Sequence, residues 1–189
     1  MPAPSRTDRD RIVATASALL EEGGTEAVTM QAVAQREGVQ APSLYKHVQH
    51  RRALLEAIVR ASAQQLTARL EGVRDDSDPR RSITAQVDEL RRFARDRPRA
   101  YALVMGAAPD LPRPTPELLG VSLKSLLAAT AALAGSDHAL DGARLVVAWA
   151  NGFISMELAG ALQMGGDIDA AWTWGLQRIV AALGDRSAD

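Results

Sequence analysis

The chain of 189 residues contains no cysteine. That absence excludes a disulfide scaffold, a thiolate zinc site and a cysteine nucleophile together, and it fits a reducing compartment. Aromatic residues are scarce as well, at 4% of the sequence, while Ala and Leu recur throughout. Strands draw on aromatic and β-branched side chains, so this balance favours helix. No apolar run approaches the roughly 18 residues of a membrane-spanning helix, and the polar start at 1–11 lacks the apolar core of a signal peptide. A soluble, cytoplasmic protein without a membrane partner is expected.

Signatures of catalysis are missing too. With 3 histidines, no cysteine and no HExxH, GxSxG, GxGxxG or phosphate-loop sequence, nothing is assembled for metal, nucleophilic or nucleotide chemistry. Neither enzymatic activity nor a cofactor nor a metal is expected. A large excess of charge is also absent, the formal net charge being −1. The total hides a local concentration. Between 36 and 52 lie Arg36, Lys46, Arg51 and Arg52 against Glu37 alone, with His47 and His50 beside them. Contact with phosphates depends on such a patch rather than on the total.

What the chain does have is apolar spacing at three and four residues, which predicts an all-α fold. Ile12, Ala16, Leu19 and Leu20 mark a helix over about 8–22, with Thr7 and Asp10 at capping-box spacing in front and Gly23-Gly24 behind. A second begins after Thr29 as N-cap, turns Met30, Val33 and Ala34 inward and stops at Gly38. A third, short helix carries Pro42 in its first turn, with Leu44 and Val48 inward. A long fourth helix follows through Leu54, Leu55, Ile58, Val59, Leu66, Leu70 and Val73 to about residue 75. Beyond the charged break at 75–79, helices are expected over 79–96 and 99–107. Pro109, Pro112, Pro114 and Pro116 then forbid regular helix until one opens at Thr115-Pro116 and runs to about 134. Ser136 or Asp137 starts another that reaches about 164, and Asp167 a last one to about 183.

The second helix, the turn at Gly38 and the third helix read as a helix-turn-helix: a support helix, a tight turn and a short helix able to enter the major groove. Ala41, Ser43, Tyr45, Lys46 and His47 do not pack inward, and this hydroxyl, aromatic, cationic and imidazole set suits phosphate oxygens and base edges.

The run Gly38-Val39-Gln40-Ala41-Pro42-Ser43-Leu44-Tyr45-Lys46-His47-Val48, followed by Arg51-Arg52-Ala53-Leu54-Leu55, resembles the signature of the TetR family of bacterial regulators, with Gly24, Thr29 and Val33-Ala34 upstream in the matching places. The likeness covers roughly 8–60. It departs from the family pattern at Val48, where an aromatic is usual, and at Arg51, where a lysine is usual; Val still packs and Arg still binds phosphate. The resemblance implies a DNA-binding domain at 1–53 and a helical effector-binding and dimerisation domain at 54–189, with the fourth helix as connector. It also implies a repressor acting on a palindromic double-stranded DNA operator. Thr29 and Gln31 would sit at the start of the second helix, Tyr45 and Arg51 on phosphates, and Ala41, Pro42, Ser43, Lys46 and His47 towards bases.

Over 140–162 apolar residues appear on two helix faces. Ala143, Val147, Ala150, Ile154 and Leu158 form one, and Leu145, Trp149, Phe153, Met156 and Gly160 the other. A helix that is apolar all round is buried all round. In a chain of this size that points to a partner subunit, a homodimer in which Gly152, Ser155, Ala159 and Gly160 permit close approach. The last helix has its own stripe in Trp172, Leu176, Ile179, Val180 and Leu183, with Trp174 pointing elsewhere. The resemblance further implies a small, hydrophobic effector molecule. Tyr101, Met105, Trp149, Asn151, Met156 and Trp172 have the mixture of apolar walls and a few polar groups that lines such pockets. The alternative is a DNA-binding dimer controlled by a protein partner, or an activator, with no small-molecule ligand.

Overall fold

The computed structural model describes residues 9–106 and 111–185. The expected capping residue Thr7 and Pro109 lie outside the described residues. Nine α-helices follow one another: α1 (Arg9–Gly23), α2 (Met30–Glu37), α3 (Ala41–Leu44), α4 (Arg51–Gly72), α5 (Pro79–Asp96), α6 (Pro98–Val104), α7 (Pro116–Ala134), α8 (Ala139–Leu158) and α9 (Ile168–Leu183) among the described residues, with a single 3-10 turn at Thr25–Ala27. No strand occurs among them. The chain forms two compact units, one of Met1–Gln64 with Arg97–Leu118 and one of Gln65–Asp96 with Leu119–Asp189.

In the first unit the stripes anticipated from spacing are the core. Ile12, Ala16 and Leu20 of α1, Val33 and Ala34 of α2, Leu44 of α3, the following Val48 and Leu54, Leu55 and Ile58 of α4 are all buried. Fully burying a side chain of this size contributes about 1.5–3 kcal/mol. A reciprocal capping arrangement fastens α6 onto α1. The Arg99 guanidinium donates to the carbonyls of Leu20 (3.2 Å) and Glu21 (3.0 Å), at the end of α1. In return the Glu21 carboxylate accepts from the backbone N–H groups of Arg99 (3.2 Å) and Ala100 (2.9 Å), in the first turn of α6. Both helix ends thereby satisfy groups that their own helices leave unpaired. Tyr101 on α6 is buried, and burial pushes its phenol well above the ordinary range. The helix stops earlier than expected because Gly106 takes φ 67°, a left-handed conformation.

In the second unit α5 carries Ile83, Val87, Leu90, Phe93 and Ala94 inward, as its spacing predicts. It also buries Ser82, Gln86, Glu89 and Arg91, which spacing does not mark. Each has a partner. Gln86 donates to the Ser82 hydroxyl (3.0 Å) and accepts from the Ser125 hydroxyl of α7 (2.6 Å). Glu89 pairs with Arg69 of α4. Arg91 donates twice to Glu157 of α8, at 2.8 and 2.7 Å. Leu119 is 37% exposed at the start of α7. Helix α8 ends at Leu158 instead of about 164, because Gly160 adopts φ 63°. Asp167 caps α9 as expected, accepting from the N–H groups of Asp169 and Ala170.

Candidate nucleic-acid interface

The geometry of α2 and α3 is fixed by backbone chemistry at three points. Thr29 is extended, and its hydroxyl accepts from the N–H of Ala32 at 3.0 Å, so the first turn of α2 is capped. Gly38 closes that helix at φ 69°, and its N–H reaches back to the carbonyls of Ala34 and Gln35. Pro42 stands in the first turn of α3, where the missing N–H is harmless. Leu44 and Val48 then anchor the short helix, with Ser43 Oγ donating to the Gln40 carbonyl at 2.7 Å.

This anchoring leaves one edge in solvent. Pro42, Tyr45, Lys46 and His47 are exposed, Tyr45 by 51%, and Ala41 and Ser43 are half-buried. Gln31 and Thr29 at the start of α2 are exposed too. An exposed phenol is unusual for a protein whose remaining tyrosine is buried. α3 is shorter than expected and ends at Leu44, so this ring and the neighbouring ammonium and imidazole make a polar surface on the turn that follows it, braced from behind by Leu44 and Val48.

Arg51 has a different setting from the one expected. Its Nε donates to the Val28 carbonyl at 2.9 Å and its Nη2 to the Thr25 carbonyl at 2.5 Å, with Glu26 at 3.7 Å. The guanidinium thus ties the first turn of α4 to the segment preceding α2 and holds the reading edge in place. Spacing offers no sign of this, since the three carbonyl-bearing and acidic partners lie 23 to 26 residues away. His50 was likewise a part of the basic patch, and in the structure its Nδ1 accepts from the N–H of Ala53 at 3.0 Å, as the cap of α4.

The residues proposed for an effector fall into two groups. Tyr101 and Met105 belong to the first unit, whereas Trp149, Asn151, Met156 and Trp172 belong to the second. Trp149 and Trp172 are brought together with ring centroids 4.8 Å apart, and Phe153 lies 5.7 and 5.1 Å from them. Gly175 makes this possible, because a Cβ there would meet the Trp149 ring at 2.6 Å. Trp172 is buried and donates its Nε1–H to Asp88 at 2.7 Å. The guanidinium of Arg91 lies over Trp172 at 4.7 Å and over Phe153 at 5.6 Å. Met156 is 48% exposed. The aromatic group is packed against a buried arginine.

Arg91, Arg95, Glu157 and Asp169 are the residues that sequence reasoning missed. Arg95 donates to Glu157 (2.6 Å) and Asp169 (2.7 Å), joining α5, α8 and α9. Hydrogen bonding from Arg91 holds the Glu157 carboxyl below its ordinary range, and Arg95 does the same for Asp169.

On α8, Gly152 and Ser155 are exposed, as are Ala159 and Gly160 just beyond it. Leu145 and Met156 are about half exposed on the same helix, and Trp174 of α9 is 63% exposed. In a single chain this strip has no cover among the described residues.

A support helix with one buried face, a glycine turn and a braced short helix followed by an exposed polar turn define a helix-turn-helix protein. Residues 12–58 match the profile of the bacterial regulatory proteins of the tetR family, and residues 83–179 match a tetracyclin repressor-like C-terminal domain. The chain belongs to the TetR family. It is 32% identical over 117 residues to the class C tetracycline repressor protein of Escherichia coli, a match that covers 60% of this chain. The chain spans about half that relative's length, 53%. The fold is shared with ActR of Streptomyces coelicolor, solved in complex with (S)-DNPA, at TM-score 0.68 and 20% identity over 95% of this chain and 98% of that one. A variant TetR of Acinetobacter baumannii AYE, solved with minocycline, superposes with TM-score 0.65 at 26% identity, covering 94% of this chain and 96% of that one. The relatives are transcriptional regulators rather than enzymes.

Proposed function

We propose that the protein is a cytoplasmic transcriptional repressor that binds a palindromic double-stranded DNA operator as a homodimer and releases it when a small effector molecule binds. Residues 1–53 form its DNA-binding domain, and 54–189 its effector and dimerisation domain. One observation carries the reading: Tyr45, Lys46 and His47 are held in solvent in the turn that closes α3, between the buried anchors Leu44 and Val48. Pro42, Ala41 and Ser43 join Lys46 and His47 towards bases, Tyr45 and Arg51 take phosphates, and Thr29 and Gln31 contact DNA from the start of α2. The exposed small residues Gly152, Ser155, Ala159 and Gly160 beside Leu145 support a subunit contact along α8, which two-fold symmetry would place opposite its own copy. Two recognition helices so related enter successive major grooves, about 34–36 Å apart.

The test is to select an operator from random duplex DNA with the purified protein and titrate it by fluorescence anisotropy. The double substitution Tyr45→Ala/Lys46→Ala is expected to weaken specific binding about a hundredfold or more, since individual base and phosphate contacts are worth about 1–3 kcal/mol. Circular dichroism should remain that of the folded protein. Undiminished affinity in this variant overturns the assignment. Gly152→Trp is expected to yield monomers by light scattering and to abolish tight operator binding with them; a monomer of full affinity overturns the dimer.

A further inference from the structure

Within the first unit, a cleft of about 360 Å³ opens between the outer face of α4 and the segment 112–118. Its charge is one-sided. Arg52, Glu56 and Arg60 stand at successive fourth positions of α4 and so share a face, and Arg113 joins them from the opposite wall. Arg52 pairs with Glu56 at 3.2 Å. Arg60 and Arg113 form no hydrogen bond or ion pair with any of the described residues. Arginines elsewhere show what such groups find when the chain itself supplies an anion: Arg36 holds Glu22, Arg69 holds Glu89 and Asp96, and Arg91 and Arg95 hold Glu157. At this cleft three guanidinium groups face one carboxylate.

We propose that this cleft binds a small anion, a carboxylate or phosphate carried on a compact apolar body. Two planar guanidinium forks match either group in a bidentate manner, which a lysine does not. Val59 and Pro114 supply apolar wall for the body of the ligand. The proline's fixed φ makes that wall rigid, so little ordering accompanies binding. The volume lies at the lower end of the roughly 300–1,000 Å³ of small-molecule sites, which sets the ligand at about the size of a single substituted ring. The site is separate from Tyr101, Met105, Trp149, Asn151, Met156 and Trp172, none of which lines it. Its consequence for regulation rests on the repressor reading given above; its occupancy does not. Arg52 follows Arg51, the residue that braces the reading edge through Val28 and Thr25. An anion that draws Arg52 and Arg60 towards Arg113 therefore acts on the first turns of α4, which Arg51 ties to the segment preceding α2.

The experiment is isothermal titration of the intact protein at constant ionic strength with benzoate, phenyl phosphate and, as the neutral control of similar shape, benzamide. Saturable binding of an anion with Kd on the order of 1 mM or tighter is expected, as ring-sized ligands give, and at least about tenfold weaker binding of benzamide. Arg60→Ala/Arg113→Ala, both exposed positions, should abolish binding without loss of helix. Glu56→Gln should tighten it several-fold by removing the carboxylate that competes for Arg52. Benzoate favoured over phenyl phosphate identifies a carboxylate effector, the reverse a phosphate one, and either supports the site. Equal binding of benzoate and benzamide, or unchanged affinity in the double variant, overturns it. So does a double variant that loses operator affinity with a shallower salt dependence while no probe saturates, because the arginines are then DNA contacts. Benzoate binding by a protein that selects no operator leaves this site standing and removes the repressor reading.

Discussion

The two units handle polar side chains in opposite ways. Around α3 the polar residues are left in solvent, and the bonds that hold them there are made by others: Thr29 and Gly38 at the ends of α2, and Arg51 on the carbonyls of Val28 and Thr25. Between α5, α8 and α9 the polar residues are buried and consume one another, with Arg91 and Glu157 only 7% and 13% exposed. A braced surface without internal partners is available to something outside the chain. A buried cluster whose bonds are satisfied is committed to holding three helices together.

The largest effect that tests this contrast is expected at Glu157. In Glu157→Ala, Arg91 loses two of its hydrogen bonds while remaining under Phe153 and Trp172, and breaking a buried pair from one side costs about 3–5 kcal/mol. Asp169, 2.8 Å from Arg91, keeps the loss towards the lower figure. Denaturant unfolding at neutral pH measures it, and a change below about 1 kcal/mol would place the cluster with ordinary surface pairs. Acid sharpens the test. Because the folded Glu157 carboxyl lies below its unfolded range, its contribution is full above about pH 4.3 and fades as pH falls through the folded value. The stability gap between wild type and Glu157→Gln should therefore narrow on acidification from pH 5 towards pH 3.

Arg51→Ala comes next. Loss of two bonds from a charged donor to carbonyls, at a half-exposed site, should lower stability by about 1.5–3 kcal/mol, read as a lower Tm. A residue that served only as a phosphate contact would leave Tm unchanged and reduce the salt slope of operator binding by about one. Arg51→Lys should not restore the loss, since an ammonium cannot span both carbonyls.

The smallest effect is a gain. Ser62 on α4 is 1% exposed, and its hydroxyl has no partner among the described residues. Ser62→Ala removes an unsatisfied buried group and should stabilise the protein by about 1 kcal/mol, measured by the denaturant midpoint. A loss of stability would mean that the hydroxyl holds a water or another buried partner.

Much of the first unit was legible because its determinants are local. A Thr three residues before the N–H that donates to it, a glycine at a helix end and a proline in a first turn each act within one turn of chain, and the exposed set at Tyr45, Lys46 and His47 followed from them. The Arg91–Glu157 pair spans 66 residues, and no periodicity connects its members. For the same reason the burial of Gln86 was invisible: its partner Ser125 is 39 positions away. The end of α8 was misjudged because Gly160 is locally compatible with a continuing helix, and only the chain's reversal towards Asp167 requires it to take positive φ. Nor does spacing show that Arg97–Leu118 gathers with Met1–Gln64, because compactness is a property of the assembled chain.

The exchange of caps between α1 and α6 has a practical corollary for anyone dissecting this protein. A fragment cut after residue 64 would retain every residue of the reading edge, yet it would lose Arg99 from the carbonyls of Leu20 and Glu21 and leave Glu21 without the two amides it accepts from. The last turn of α1 would fray, and with it the packing of Leu20 in the core beneath α2. A fragment that keeps this exchange of caps therefore needs more than an N-terminal stretch of sequence. Joining residues 1–64 to 97–118 by a short linker would retain both partners of that exchange.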